Sequence, residues 1–355
     1  MKKILKFLGI FLLCIVLLAG ISLGVLTIAE YRPADVESVL DSHETAVSLQ
    51  SGASVSIVSW NCGYGALGDN ADFFMDGGKS VYTADQERLN QNLEGISETL
   101  RDLNPDIILL QEVDINSSRS HGADERTVLR NVLPGADECF AYNFNSLYVP
   151  FPIPPIGHVE SGLYTLSRFG IRSAERISLP CPFSWPLRIA NLKRCLLVSR
   201  IPVGDSGREL VLVNLHLEAY DNGEGKEAQT KQLASFLNEE YALGNYVVAG
   251  GDFNQLFSNI ENPYPVYEGK WQPGQIDAAA FENGFSLLMD SSVPSCRSLD
   301  QPLAGSSADG FQFYLIDGFI VSENVRVNSL ETLDKGFICS DHNPVSLEIT
   351  LLPAV

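Results

Sequence analysis

Positive charge is scarce in this chain. Its 355 residues carry 24 Lys and Arg against 44 Asp and Glu, a formal net charge of −20. Lys2, Lys3 and Lys6 precede every acidic residue, so beyond residue 29 only 21 basic residues face all 44 acidic ones, leaving −23 there. Such a surface repels polyanions on average and weakens the counterion release that drives binding to long nucleic acid. Zinc-type spacing is missing as well: no Cys-x-x-Cys and no His/Cys cluster occurs, which argues against a zinc enzyme. No internal repeat and no low-complexity tract is present. Of the seven cysteines, Cys62, Cys139, Cys181, Cys195, Cys296 and Cys339 lie outside the first 29 residues. They suit either three disulfides in an oxidising compartment or a set of buried thiols, and spacing alone does not choose.

Charge is also absent from "FLGIFLLCIVLLAGISLGVLTIA", Phe7 to Ala29. As a helix rising about 1.5 Å per residue, this stretch just crosses a hydrocarbon core of roughly 30 Å. A cleavable signal peptide has a shorter apolar region, about 7–15 residues, and no convincing cleavage site follows. Residues 1–29 are therefore expected to form a signal-anchor helix. Lysines before the span and the largely acidic "EYRPADVE" after it place the N-terminus in the cytosol and the rest outside, in a single-pass cell-membrane protein.

Residues 30–53 are polar with scattered apolar positions and read as a linker and lead-in. From residue 54 to 355 the pattern is that of one folded domain. "SVSIVSWN" alternates and is β-branched, and "DIILLQEV" is a compact apolar run. Further strands are expected in "CFAYNF", "SGLYTLS", "RCLLVSRIPV", "RELVLVNLHLE", "YVVAGGDFN", "FQFYLIDGFIV" and "DHNPVSLEITLL". "TADQERLNQNLEGISETLRDLN" reads as a helix, with Thr83 and Gln86 at capping-box spacing. A second helix is expected over about Glu224 to Ala242. Many strands with few, separated helices indicate an α+β fold, in which sheets pack face to face and helices lie outside.

Polar residues break or end these apolar runs repeatedly. Asn61 closes "SIVSWN", Glu112 closes "DIILLQE", His216 interrupts "VLVNLHLE" and Asp317 sits inside "FYLIDGFIV". Asp252 and Asn254 follow two glycines in "VVAGGDFN", and Asp341 with His342 opens the last strand. Asp and Asn are ordinary turn formers, so any one of these is unremarkable. Asp317 and His216 fit that bland reading least, since an ionisable group in an apolar strand needs a partner. If the strand ends converge, oxygen donors from Asn61, Glu112 and Asp341 suit Mg²⁺, with Mn²⁺ as a substitute. His216 and His342 could then contact a phosphoryl oxygen, Asp317 could orient His342, and Asp252 with Asn254 could position a water and a phosphate oxygen. That combination describes a phosphoester hydrolase.

"SWN", "LLQEV", "NLHLE", "GGDFN", "IDGFIV" and "SDHNPV" resemble, in order, the motifs of the endonuclease/exonuclease/phosphatase superfamily, whose members include deoxyribonucleases, sphingomyelinases and inositol-polyphosphate 5-phosphatases. The resemblance implies a four-layer α/β-sandwich of two packed, mainly antiparallel sheets flanked by helices. It also implies Mg²⁺-dependent phosphoester hydrolysis by in-line attack of water. Glu112 corresponds to the principal metal ligand beside Asn61, with Asp341 supporting the site. Asp252 corresponds to the group that aligns or deprotonates the water, Asn254 to the phosphate holder, and His342, paired with Asp317, to the contact with the scissile phosphate. His216 leans towards the three branches just named. The acidic balance and the anchor favour a lipid-borne or small phosphoester over nucleic acid; an extracellular nuclease and an inactive scaffold are the rivals.

Three further features bear on substrate. Arg168 and Arg297 are candidates for binding substrate phosphate. "FNSLYVPFPIPPIGH", Phe144 to His158, is rich in aromatics and proline; it is either a long loop packed on the body or a membrane-facing ridge near the site.

Overall fold

The computed structural model describes residues 2–40, 47–204, 206–281, 284–305 and 311–353. In chain order the strands are β1 (Val36–Ser38), β2 (Ser54–Asn61), β3 (Ile107–Asp114), β4 (Asp137–Val149), β5 (Gly157–Ser167) and β6 (Ser173–Ser178). They continue as β7 (Cys195–Val203), β8 (Arg208–His216), β9 (Tyr246–Asp252), β10 (Gln255–Phe257), β11 (Gly274–Ile276) and β12 (Phe285–Leu288). The last are β13 (Cys296–Arg297), β14 (Phe313–Tyr314), β15 (Asp317–Ser322), β16 (Val325–Thr332) and β17 (Val345–Leu351). The helices are α1 (Lys2–Ile28), α2 (Gln86–Leu103), the single turn α3 (Arg126–Leu129) and α4 (Glu224–Ala242).

Two large sheets carry the fold. One has the order β1-β6-β7-β8-β9-β15-β12, the other β16-β17-β2-β3-β5-β4. Neighbours are antiparallel except β8–β9 and β2–β3. Side chains alternate across each strand, and both faces of the central strands are covered. Ile57, Ile107 and Leu109 meet Leu197, Leu212, Val248 and Phe319 between the sheets. The intervening Val58, Ile108 and Leu110 face outward onto Ile96 and Leu100 of α2. On the other side Val211, Val213 and Val247 face Leu233 and Leu237 of α4. Burial on both faces is why these strands read as unbroken apolar runs. The result is the four-layer sandwich, helix on sheet on sheet on helix.

Three local expectations need correction. Thr83 does not cap α2: its hydroxyl donates to the Ala66 carbonyl, while the Asp85 carboxylate caps the helix by accepting from Arg88 N–H at 2.8 Å. "FQFYLIDGFIV" is not one strand; it splits into β14 and β15, which belong to different sheets. The segment read as linker is integrated instead. β1 pairs with β6, Leu40 bridges to Cys139, and Leu49 is buried in the core between the sheets; residues 41–46 of that segment lie outside the described residues. The strand survives there because the edge of β6 is open and Tyr31 packs edge-on against Tyr142 at 5.9 Å.

The cap assignment is testable. Asp85→Ala should cost about 1 kcal/mol of stability by chemical denaturation, and Asp85→Ser should restore most of it. Equal stability of the Ala variant and the wild type would remove Asp85 from the cap.

Candidate functional site

The parallel and antiparallel registers bring the chemistry-bearing strand ends to one side of both sheets. His216 at the end of β8 stands beside Asp252 at the end of β9, and Asp252 stands beside Asp317 at the start of β15. In the facing sheet Asn61, which ends β2, pairs with Gln111 of β3. The glycines before Asp252 are required by close approach. A side chain on Gly250 would overlap the Phe319 ring, and one on Gly251 would collide with the Leu215 carbonyl of β8. They let β9 lie tightly between its neighbours where Asp252 emerges.

Glu112 reaches the site through a β-bulge. Leu110 pairs with Tyr164 and Val113 with Gly162, so Gln111 and Glu112 together oppose one residue of β5. Glu112 has φ +52°, an unusual backbone for a residue with a side chain, and the bulge re-aims its carboxylate into the opening. Asn254 also has positive φ, +52°; its backbone N–H donates to Asp252 Oδ1 at 2.8 Å, and its amide donates to the Leu217 carbonyl at 2.9 Å.

Asp252 is the hub. Its Oδ2 accepts from Asn61 Nδ2 at 3.1 Å and lies 3.3 Å from His216 Nε2 and 3.8 Å from His342 Nε2. Asn61 Nδ2 also donates to Glu112 Oε1 at 3.2 Å, while its Oδ1 accepts the Gly63 N–H at 3.0 Å. Asn61 thus turns its N–H groups towards the site. In this arrangement Asn61 is the donor that ties two carboxylates together. Asp317 Oδ2 sits 2.8 Å from His342 Nδ1, and Trp60 Nε1 donates to the His342 carbonyl at 2.8 Å, which fixes that loop.

The two histidines are pushed in opposite directions. Burial disfavours the charge of His216, and Arg194 and His342 add to that, so its pKa falls well below the usual value. Burial acts the same way on His342, but the Asp317 carboxylate outweighs it and holds the imidazolium well above the normal range. Burial, then repulsion from Asp317, raises Asp252 to about 7 against the pull of His342. Burial likewise raises Asp341 to about 6; His342 opposes the rise and Glu112 adds to it.

A cavity of about 160 Å³ opens here, lined by Glu112, His216, Asp252, Asn254, Asp341 and His342. Its wall includes residues with no motif to announce them: Tyr64, Asp76, Arg119, Tyr220 and Trp271. Arg119 stacks 3.6 Å over the Tyr64 ring and grips Asp114 with two hydrogen bonds of 3.0 and 2.9 Å. A cation five residues beyond the last strand position of "LLQEVD" was the available signal. The expected phosphate contacts fare differently. Arg168 is excluded: it follows Ser167, which pairs with Ile107 at the far end of β3, and its guanidinium is held by Pro105 O and Asn104. Arg297 does line the cavity, but its Nη1 donates to Ser298 O and its Nη2 to Gly68 O and Ala71 O. It staples the 68–71 loop to the body.

Glu112, Asp252 and Asp341 present hard oxygen donors in one opening. That donor set fits a divalent cation such as Mg²⁺ or Mn²⁺ and fits a thiolate-seeking metal poorly. All seven cysteines are free, so none of the expected alternatives that needs a disulfide applies to the described residues.

One wall residue yields a pH prediction. Burial raises Asp76 to about 7, partly opposed by the hydrogen bond from Tyr220 Oη at 3.1 Å. Its folded pKa exceeds the unfolded value near 3.9, so the stability it contributes is complete below about pH 4 and is lost as pH rises through about 7. In EDTA, the thermal midpoint of the wild type should therefore fall relative to Asp76→Asn between pH 5 and 8, on the order of a few degrees. Parallel pH curves for the two proteins would contradict the assignment.

The comparisons agree with this geometry. A family described as "Endonuclease/Exonuclease/phosphatase family" matches residues 58–342. No curated protein matches the chain. Among solved structures, an endonuclease/exonuclease/phosphatase from Beutenbergia cavernae DSM 12333 is 16% identical, with 85% of this chain and 72% of that one covered and a TM-score of 0.56. One from Bacteroides vulgatus is 17% identical, with 84% and 99% covered and a TM-score of 0.51. One from Leptotrichia buccalis C-1013-b is 15% identical, with 83% and 99% covered and a TM-score of 0.51. At these identities the structures speak for the fold alone, and the family match carries the assignment. Members of that family are generally metal-dependent hydrolases of phosphoesters. This chain, over the greater part of its length, belongs to the endonuclease/exonuclease/phosphatase family.

Proposed function

We propose that the protein is a Mg²⁺-dependent phosphoesterase, held at the cell membrane by α1 with its catalytic domain outside the cytosol. Its substrate on this reading is a lipid-borne or small phosphoester. The observation that carries the reading is the hub around Asp252: one carboxylate within 3.3 Å of both Asn61 and His216, beside the His342–Asp317 pair at 2.8 Å. α1 supports the membrane part, being a 27-residue helix with an 18-residue stretch of mean hydropathy 2.8 and no buried residue. The acidic balance supports a small or lipid phosphate over a long polyanion.

Glu112, oriented by the Asn61 amide, and Asp341 would hold the cation. When bound, the cation polarises the phosphoryl oxygens and offsets their charge. Asp252, with a pKa of about 7, can accept a proton from water near neutral pH, and the Asn254 N–H and Asn61 amide hold it in place. His342, kept charged by Asp317, donates from Nε2 towards the phosphoryl oxygen whose charge grows during the reaction. His216, kept neutral, hydrogen-bonds without adding a second positive charge beside His342.

The full-length protein in detergent should be assayed with bis-p-nitrophenyl phosphate, p-nitrophenyl phosphate, sphingomyelin, phosphoinositides and plasmid DNA. Activity should vanish in EDTA and return with Mg²⁺. His342→Ala and Asp252→Asn should each lower kcat by about 10²–10⁴-fold with the protein still folded. Preference for plasmid DNA would move the substrate to the nuclease rival. No turnover on any substrate, with a thermal midpoint indifferent to Mg²⁺, would leave the scaffold reading.

A further inference from the structure

The junction between α1 and the domain is built, not loose. Glu30, the second residue after α1, is shielded and pairs with Arg32 at 3.0 Å, Arg188 at 3.1 Å and Lys193 at 3.4 Å. Trp185 Nε1 donates to Thr27 Oγ1, inside the last turn of α1, at 3.3 Å. The segment from 181 to 192 is thereby fixed against the end of the apolar helix. Trp185 and Leu187 are nevertheless 51% and 65% exposed.

The same segment continues into the wall of the cavity. Ala190 and Leu192 pack with Ile156 on Phe144, Val149 and Val159, at the end of the β4–β5 hairpin, and Phe144, Ile156 and Leu192 line the cavity. The hairpin tip, 147–156, reads "LYVPFPIPPI", ten residues without a charge in a domain of strong negative charge. Phe151 is 69% and Ile153 is 93% exposed. The tip is not free to fold away. Tyr82 Oη donates to Pro155 O at 2.9 Å, the Ser118 hydroxyl accepts from His158 N–H at 3.0 Å, and Phe151 meets Phe74 edge-on at 6.4 Å.

Helix end, Trp185 segment and hairpin are thus linked in series, through Thr27 and Trp185 and then Ala190, Leu192 and Ile156. Together they form a margin with exposed apolar side chains that runs from α1 to the cavity. Exposed aromatic and aliphatic side chains beside a membrane helix favour the water–lipid boundary. Arg32, Arg188 and Lys193, which share the single Glu30 carboxylate, bring three cations to that margin, suited to lipid phosphates.

We propose that this margin seats on the bilayer that α1 spans, with the tip of the β4–β5 hairpin entering the headgroup region, so that the cavity takes phosphoester headgroups directly from the membrane. This rests on the phosphoesterase and anchor readings above and adds how the substrate arrives. The docking itself does not depend on which side of the membrane the domain occupies.

The test uses the full chain in nanodiscs of phosphatidylcholine and phosphatidylglycerol, with phosphatidylcholine brominated in the upper acyl chain as quencher. Ile153→Trp should add tryptophan emission that brominated lipid quenches, and Trp185→Phe should remove quenchable emission. In the same discs, with sphingomyelin or phosphoinositide included, the double variant Phe151→Ser/Ile153→Ser should lose about tenfold or more of lipid turnover. Its turnover of bis-p-nitrophenyl phosphate should match the wild type. Unquenched emission from Ile153→Trp, or an equal loss on both substrates, would overturn the proposal. A wild-type protein that cleaves nothing would defeat the phosphoesterase reading, and the quenching arm would still decide the docking.

Discussion

Everything at this site hangs on a contact between the sheets: the Asn61 amide of one donating to the Asp252 carboxylate of the other. The bond can exist only if both sheets present their strand ends at the same level. Side chains alternate with a period of two, so a one-residue slip of β8 against β9 would move His216 away from Asp252 and turn the core side chains outward. The apolar registers and the polar cluster therefore enforce one another. Gln111 and Asn214 extend the constraint inward. Gln111 Nε2 donates to Asn214 Oδ1 at 2.8 Å, and Asn214 Nδ2 donates to Leu110 O at 3.0 Å and Tyr164 O at 3.1 Å. A buried amide is costly without partners, and the Asn214 amide finds its partners, Leu110 O, Tyr164 O and Thr165 Oγ1, only when the two sheets face each other in this alignment.

The same enclosure that aligns the groups also separates their roles. Burial penalises every charge in the opening, yet the outcome differs from residue to residue because the neighbours differ. His342 has Asp317 at hydrogen-bond distance and stays charged; His216 has Arg194 and His342 nearby and stays neutral. Two identical side chains thus become a charged donor and a neutral one within a few ångströms of a shared carboxylate. Asp317 repels Asp252 and Glu112 repels Asp341; His342 offsets part of this, and a divalent cation would offset more.

Much of this was legible in the residue order, and the reasons are local. β2, β3, β8 and β9 are covered on both faces, so their apolar runs are unbroken and the polar residue that ends each run stands out. α4 was placed from its pattern with its observed bounds. What escaped was long-range or geometric. Thr83 and Asp85 compete for one cap, and Ala66, seventeen residues back, takes the Thr83 hydroxyl. β1 is three residues long and exists because the β6 edge is there to pair with. The arginines show the same limit. Arg168 lies near an apolar strand in sequence but at its wrong end in space, Arg297 reaches the cavity yet serves backbone carbonyls, and Arg119 enters the wall from a loop no motif marks. Which loop closes over a mouth is decided by where its ends are anchored, and short-range pattern carries none of that.

On the proposed reading of α1 as a membrane anchor, its joint with the sandwich changes what anchoring means. A flexible tether restricts a domain to a shell near the membrane and leaves its orientation free, so the cavity would meet lipid and solvent alike. Glu30 restricts that freedom, because its carboxylate pairs with Arg188 and Lys193 of the domain as well as with the neighbouring Arg32, and releasing the helix would separate it from the first two. β1 fastens the next stretch of chain to the sheet, with Arg176 over the Tyr31 ring at 5.7 Å. Orientation relative to α1 is consequently a property of the fold. The 181–192 segment, which holds the helix end through Trp185 and Arg188, also reaches the cavity, where Leu192 forms part of the wall. One short stretch of chain thus carries both the contacts at the end of α1 and a contact with the opening.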